Sequence, residues 1–83
     1  MITTEKEKDL YNVWLTINKM CYDKTHKFYY VYGSQGVSVC GKWQNYFESF
    51  KSDMGFRPDG CTLERIDSNK GYSKNNCRWG KLI

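Results

Sequence analysis

Two sets of residues in this sequence could carry chemistry. The first is a basic C-terminal third: from residue 57 to 83, six basic side chains (Arg57, Arg65, Lys70, Lys74, Arg78, Lys81) meet three acids (Asp59, Glu64, Asp67). A guanidinium holds phosphate oxygens through paired, charge-assisted hydrogen bonds, and an ammonium holds them as a point charge. A basic stretch with few acids is the electrostatic footprint of a nucleic-acid contact, with Arg65, Lys70, Lys74 and Arg78 as the candidate phosphate-binding residues. The second set is Cys21, His26, Cys40 and Cys77, three thiols and an imidazole that suit tetrahedral Zn²⁺. Only Cys21 and His26 are close in sequence. Free cysteines also pack as small apolar residues, so both uses stay open.

Holding these groups in place falls to a single domain spanning residues 1–83, small enough to need an efficient core. An aromatic share of 17% supplies one. Thr4-Glu5-Lys6-Glu7 reads as a capping box, and Leu10, Trp14 and Ile17, flanked by Val13 and Met20, recur at helical period. A helix is expected over residues 4–20. The run Phe28-Tyr29-Tyr30-Val31-Tyr32 suits core packing, base stacking or an interface anchor equally. Residues 36–40 alternate like a short strand. Trp43, Tyr46, Phe47 and Phe50 fall at i, i+3, i+4 and i+7, which predicts a second amphipathic helix over 42–53 with Gly55 as its stop. Residues 57–60 form a turn by composition, and residues 61–67 a strand. A loop over 68–76 follows, with Asp67 and Asn69 as turn-makers, then a return strand over 77–79. The class is α+β: two amphipathic helices, a short strand and a C-terminal β-loop-β.

The stretch Leu63-Glu64-Arg65-Ile66-Asp67 … Tyr72-Ser73-Lys74-Asn75-Asn76-Cys77-Arg78-Trp79 resembles the core of HNH endonucleases. Upstream, Tyr32-Gly33-Ser34-Gln35-Gly36-Val37 and Asp53-Met54-Gly55-Phe56-Arg57-Pro58 are similar to two further boxes of a phage-associated branch of that family. Together the boxes cover about residues 10–79. The resemblance implies a ββα-metal hairpin in which Glu64 and Asn76 hold Mg²⁺ or Mn²⁺ against a DNA phosphodiester, making Glu64, Arg65 and Asn76 the candidate catalytic residues. Asn76 matches the family's central Asn, which fixes the loop or orients the base. Two departures follow. Arg65 occupies the position of the general-base histidine and stays protonated at any working pH, so it can hold a phosphate but not accept a proton. Only Gly80-Lys81-Leu82-Ile83 follow Trp79, so a degenerate hairpin lacking most of the final metal-bearing helix is expected.

The resemblance and the charge together point to a small DNA-interacting protein that binds double-stranded DNA through the β-loop-β. The alternatives are a Mg²⁺- or Mn²⁺-dependent nicking endonuclease, and a phage effector that docks on a host protein. No apolar run approaches the roughly 20 residues of a membrane span, and Met1-Ile2-Thr3-Thr4-Glu5-Lys6 does not read as a signal peptide. No membrane association and a cytoplasmic location, in a host cell if phage-encoded, are the expectations.

Overall fold

Thr4 opens the first helix, its hydroxyl accepting a hydrogen bond from the Glu7 amide at 3.1 Å. That satisfies one of the donors a helix start leaves free. The computed structural model describes residues 4–81. The second half of the expected capping box does not form, because the Glu7 carboxylate pairs with Lys51 at 3.5 Å instead. This helix, α1, runs Glu5–Tyr22, slightly past its expected end, and buries Leu10, Ile17 and Cys21 on one stripe.

The helix expected over 42–53 is two helices. α2 (Gly41–Asn45) and α3 (Phe47–Met54) meet at Tyr46, which is extended at φ −136°, ψ 108° and caps both. The break has a physical reason in Trp43. Its indole donates to the Asp53 carboxylate at 2.8 Å, and its ring meets Phe50 edge-on at 4.9 Å between centroids. In an unbroken helix residues 43 and 53 would lie about 15 Å apart along the axis. Folding back at Tyr46 brings them together and leaves the Tyr46 ring exposed. Trp43 and Phe50 are fully buried, and truncating either to Ala is expected to cost about 3–5 kcal/mol.

Residues 36–40 do not form a strand of their own. They contribute one parallel bridge, Val39 to Tyr72, in which the Tyr72 amide bonds the Ser38 carbonyl at 2.8 Å and the Cys40 amide bonds the Tyr72 carbonyl at 2.9 Å. Gly71 permits the approach: a Cβ there would sit 2.3 Å from the Ser38 carbonyl oxygen. β1 (Cys61–Arg65) and β2 (Cys77–Lys81) pair antiparallel with Cys61 opposite Lys81, Leu63 opposite Trp79 and Arg65 opposite Cys77. β1 is shorter than expected because the Asp67 amide bonds the Asn76 side chain rather than a ladder carbonyl. β2 is longer than expected. Leu82 and Ile83, part of the expected C-terminal tail, lie outside the described residues, as do Met1 to Thr3.

Leu10, Ile17, Cys21, Val39, Trp43, Phe50, Tyr72 and Cys77 form the core, with Leu63 and Trp79 packed against it. Three polar links hold the layers in register. The Trp14 indole donates to the Trp43 carbonyl, Trp79 donates to the Met54 carbonyl at 2.8 Å, and Arg57 grips Asp9 with two bonds of 2.6 and 2.9 Å. The architecture is α+β, with the helices on one side of a C-terminal hairpin.

Candidate nucleic-acid interface at the C-terminal hairpin

Strand alternation divides the hairpin into two faces. Cys61, Leu63 and Arg65 share the core-side face with Cys77 and Trp79, while Thr62 and Glu64 share the outer face with Arg78 and Gly80. On that outer face Glu64 stands opposite Arg78 and accepts from its Nε at 2.7 Å. The Glu64 carboxyl lies over Gly80, where an added Cβ would meet it at 2.3 to 2.6 Å. Both side chains are largely exposed, so the pair contributes little stability but fixes where the carboxylate points.

Asn76 is buried and its amide makes three hydrogen bonds. Its oxygen accepts from the Asp67 amide at 2.9 Å, and its nitrogen donates to the carbonyls of Asp67 at 3.1 Å and Gly71 at 2.9 Å. One side chain thus ties both ends of the 67–76 loop. Asp67 adds an Asx turn, accepting from the Asn69 amide at 2.9 Å. Loop fixing, one of the two roles expected of Asn76, is what the geometry displays. The contact seen at the amide oxygen, the atom expected to ligate a cation, is the Asp67 backbone N–H.

Arg65 is half-buried on the core side of the hairpin. Its Nη1 donates to the carbonyls of Ser68 and Lys70 at 2.8 and 2.9 Å, and its guanidinium carbon lies 5.5 Å from the ring centroids of both Tyr32 and Tyr72. It therefore clamps the loop to the aromatic segment and stands apart from the other expected phosphate contacts. Lys70, Lys74 and Arg78 are exposed. Residues 68–81 carry four basic residues and no acid. Sequence reasoning missed Lys42. The Asp53 carboxyl is held below the usual carboxylate range first by the Trp43 indole, then by Lys42 and by the charge of Lys74. Lys42 on α2 lies 3.4 Å from that carboxylate, and the charge of Lys74, 32 residues further along the chain, also reaches it.

The expected zinc set is not brought together. Among the described residues no three His, Cys, Asp or Glu side chains gather where they could hold a metal ion. Cys21 and Cys77 are core residues, and burial pushes the Cys21 thiol up to about 11 and raises that of Cys77. The His26 Nδ1 accepts from the Phe28 amide at 3.1 Å, which turns the ring toward its own turn. Cys40 is half-buried. All four cysteines are free. The upstream box at residues 53–58 is scaffold as well: Asp53 holds Trp43, Met54 receives Trp79, and Arg57 grips Asp9.

No helix among the described residues is long and apolar enough to cross a membrane. Compared with known proteins, the chain matches no family model, no curated protein and no solved structure.

Proposed function

We propose that this chain is an HNH-like module that binds duplex DNA through the outer face and loop of its C-terminal hairpin and does not cut it. The observation that carries this reading is the division of labour within the hairpin. Glu64, Arg65 and Asn76, the residues nuclease chemistry would need, are engaged in holding the hairpin and its loop. Lys70 and Lys74 carry no carboxylate partner among the described residues and project from an acid-free segment. A loop tied at its foot by an asparagine also supports the HNH resemblance.

Binding through phosphates makes affinity fall with salt, with a log–log slope near 0.9 for each phosphate neutralised. Three contacts, from Lys70, Lys74 and Arg78, give a slope of about −2.7. Fluorescence anisotropy on a labelled duplex across a salt series measures it, and Lys74→Ala with Arg78→Ala should flatten the slope by about 1.8. Undetectable or salt-independent binding overturns the reading. It would favour docking on a host protein, for which the exposed Phe28, Tyr30 and Val31 offer an apolar anchor. Plasmid incubated with the protein and Mg²⁺ or Mn²⁺ is expected to stay supercoiled, and robust metal-dependent nicking would restore the endonuclease reading.

A further inference from the structure

Beneath the hairpin loop, on the face opposite Arg78, lies a cavity of about 280 Å³ bordered by Arg65, Lys70, Ser68, Asn69 and Gln35. We infer that this cavity is a binding site for a phosphate group, either an inorganic phosphate or a terminal phosphate monoester. Two cations border it and, among the described residues, no carboxylate does. Among the described residues neither Arg65 nor Lys70 forms an ion pair.

Arg65 is the decisive group. A guanidinium has five N–H donors in a planar fork. Nη1 uses its pair on the Ser68 and Lys70 carbonyls, and the donors on Nε and Nη2 have no partner among the described residues. Withdrawing a cation from water without an opposite charge is unfavourable, so a half-buried guanidinium calls for an anion. Among the described residues no carboxylate pairs with it. The charge of Arg65 acts on Tyr72, Cys21 and Cys77, and burial raises the pKa of all three despite it. They stay neutral at physiological pH. Both tyrosine rings lie within cation–π range of the guanidinium, 5.5 Å from its carbon, and help to hold it, while the Nε and Nη2 donors can receive paired oxygens in the bidentate geometry phosphate offers. Lys70 adds a second charge from the rim. The cavity far exceeds the roughly 10–15 Å³ that admits one water, so a hydrated anion can enter.

This inference shares Lys70 with the duplex reading but rests on Arg65 and the cavity, so inorganic phosphate, which offers no duplex, tests it separately. Titration of inorganic phosphate into the intact chain at constant ionic strength, followed by ¹H–¹⁵N NMR, tests it. Saturable shifts are expected at the Arg65 Nε–H and at the amides of residues 68–71. Lys70→Gln changes an exposed side chain and should weaken phosphate by about tenfold, the loss of one charge-assisted contact. Lys74→Gln, on the side of Asp53, should leave it unchanged. Absence of saturable shifts, equal shifts with chloride, or equal weakening by both lysine variants overturns the site. Two single-stranded oligonucleotides, identical except for a 5′-phosphate or a 5′-hydroxyl, identify the source. Tighter binding of the phosphorylated strand, lost in Lys70→Gln, supports a nucleic-acid end. Equal binding of the two strands alongside specific inorganic phosphate binding supports a small phosphate compound.

Discussion

Replacing Asn76 with Ala removes three hydrogen bonds at once, two of them to the Asp67 backbone and one to Gly71. At about 1 kcal/mol each, the loss is about 3 kcal/mol. For an 83-residue chain with a total stability of roughly 4–12 kcal/mol, that is a large part of the whole. Melting temperature should fall by about 10 °C or more. Asn76→Asp separates the structural role from a metal-binding one. The carboxylate keeps an acceptor for the Asp67 amide but loses both donors and sets a negative charge against two carbonyls. It should be at least as destabilising as Ala at neutral pH. Its folded-state pKa is raised, so stability should return as pH falls and the carboxyl regains a proton. Thermal melts of the three proteins between pH 4 and 8, with and without Mg²⁺, make the comparison. Were Asn76 a cation ligand, Asp would be tolerated and Mg²⁺ would raise its melting temperature by mass action. Wild-type-like stability of Asn76→Asp, or its stabilisation by Mg²⁺, refutes the loop-pin argument.

Gly71→Ala forces a Cβ into the Ser38 carbonyl and should cost about 1–3 kcal/mol by urea denaturation, although its backbone conformation suits any residue. Asp53 has a folded-state pKa below its unfolded value, held down first by the Trp43 indole. Its contribution is present above the ordinary carboxylate pKa of about 3.9 and is lost as pH falls through the lower folded value, so Asp53→Asn should flatten the acid limb of a melting-temperature profile. Native-state alkylation at pH 8, read by mass spectrometry, should label Cys40 first, since Cys21 is buried with its thiol at about 11 and Cys77 is buried and raised. Arg65→His restores a titrating group to the histidine position but cannot reach two carbonyls while packed between two tyrosines. It should lower melting temperature and produce no plasmid nicking.

Local signals in the sequence survived where local physics decided the outcome. Thr4 caps because its hydroxyl meets an amide three residues on, and Leu10 and Ile17 are buried because helical period puts them on one stripe. The hairpin was legible for a similar reason: Pro58-Asp59-Gly60 and the polar run at 68–76 bracket two alternating segments. The break at Tyr46 was not, because the spacing of Trp43, Tyr46, Phe47 and Phe50 fits one helix perfectly well. What ends that helix is the attraction between Trp43 and Asp53 through space, which periodicity does not register. Likewise Gly36-Val37-Ser38-Val39-Cys40 alternates like a strand but has a single bridging partner, so it pairs once and turns away.

The site residues were legible by type, while the contacts that occupy them were not, and Arg65 explains why. Sequence shows an arginine beside a glutamate, two groups able to hold a phosphate or a cation. Whether they do so depends on what else competes for them, and the competitors lie elsewhere in the chain or in the backbone. Glu64 meets Arg78 because strand register places them opposite each other. Asn76 meets Asp67 and Gly71 because the loop closes on it. Arg65 meets the Ser68 and Lys70 carbonyls through Nη1 alone, and the residue borders a cavity lined by no carboxylate among the described residues. Engagement is therefore threefold for the asparagine, reversible for the exposed glutamate pair, and partial for the arginine. Drawing Asn76 away from its loop contacts would cost stability. Binding through the remaining donors of Arg65, or through Lys70 and Lys74, which form no ion pair among the described residues, leaves the loop in place, and on the proposed reading that makes recognition of phosphate a smaller step from this fold than its hydrolysis.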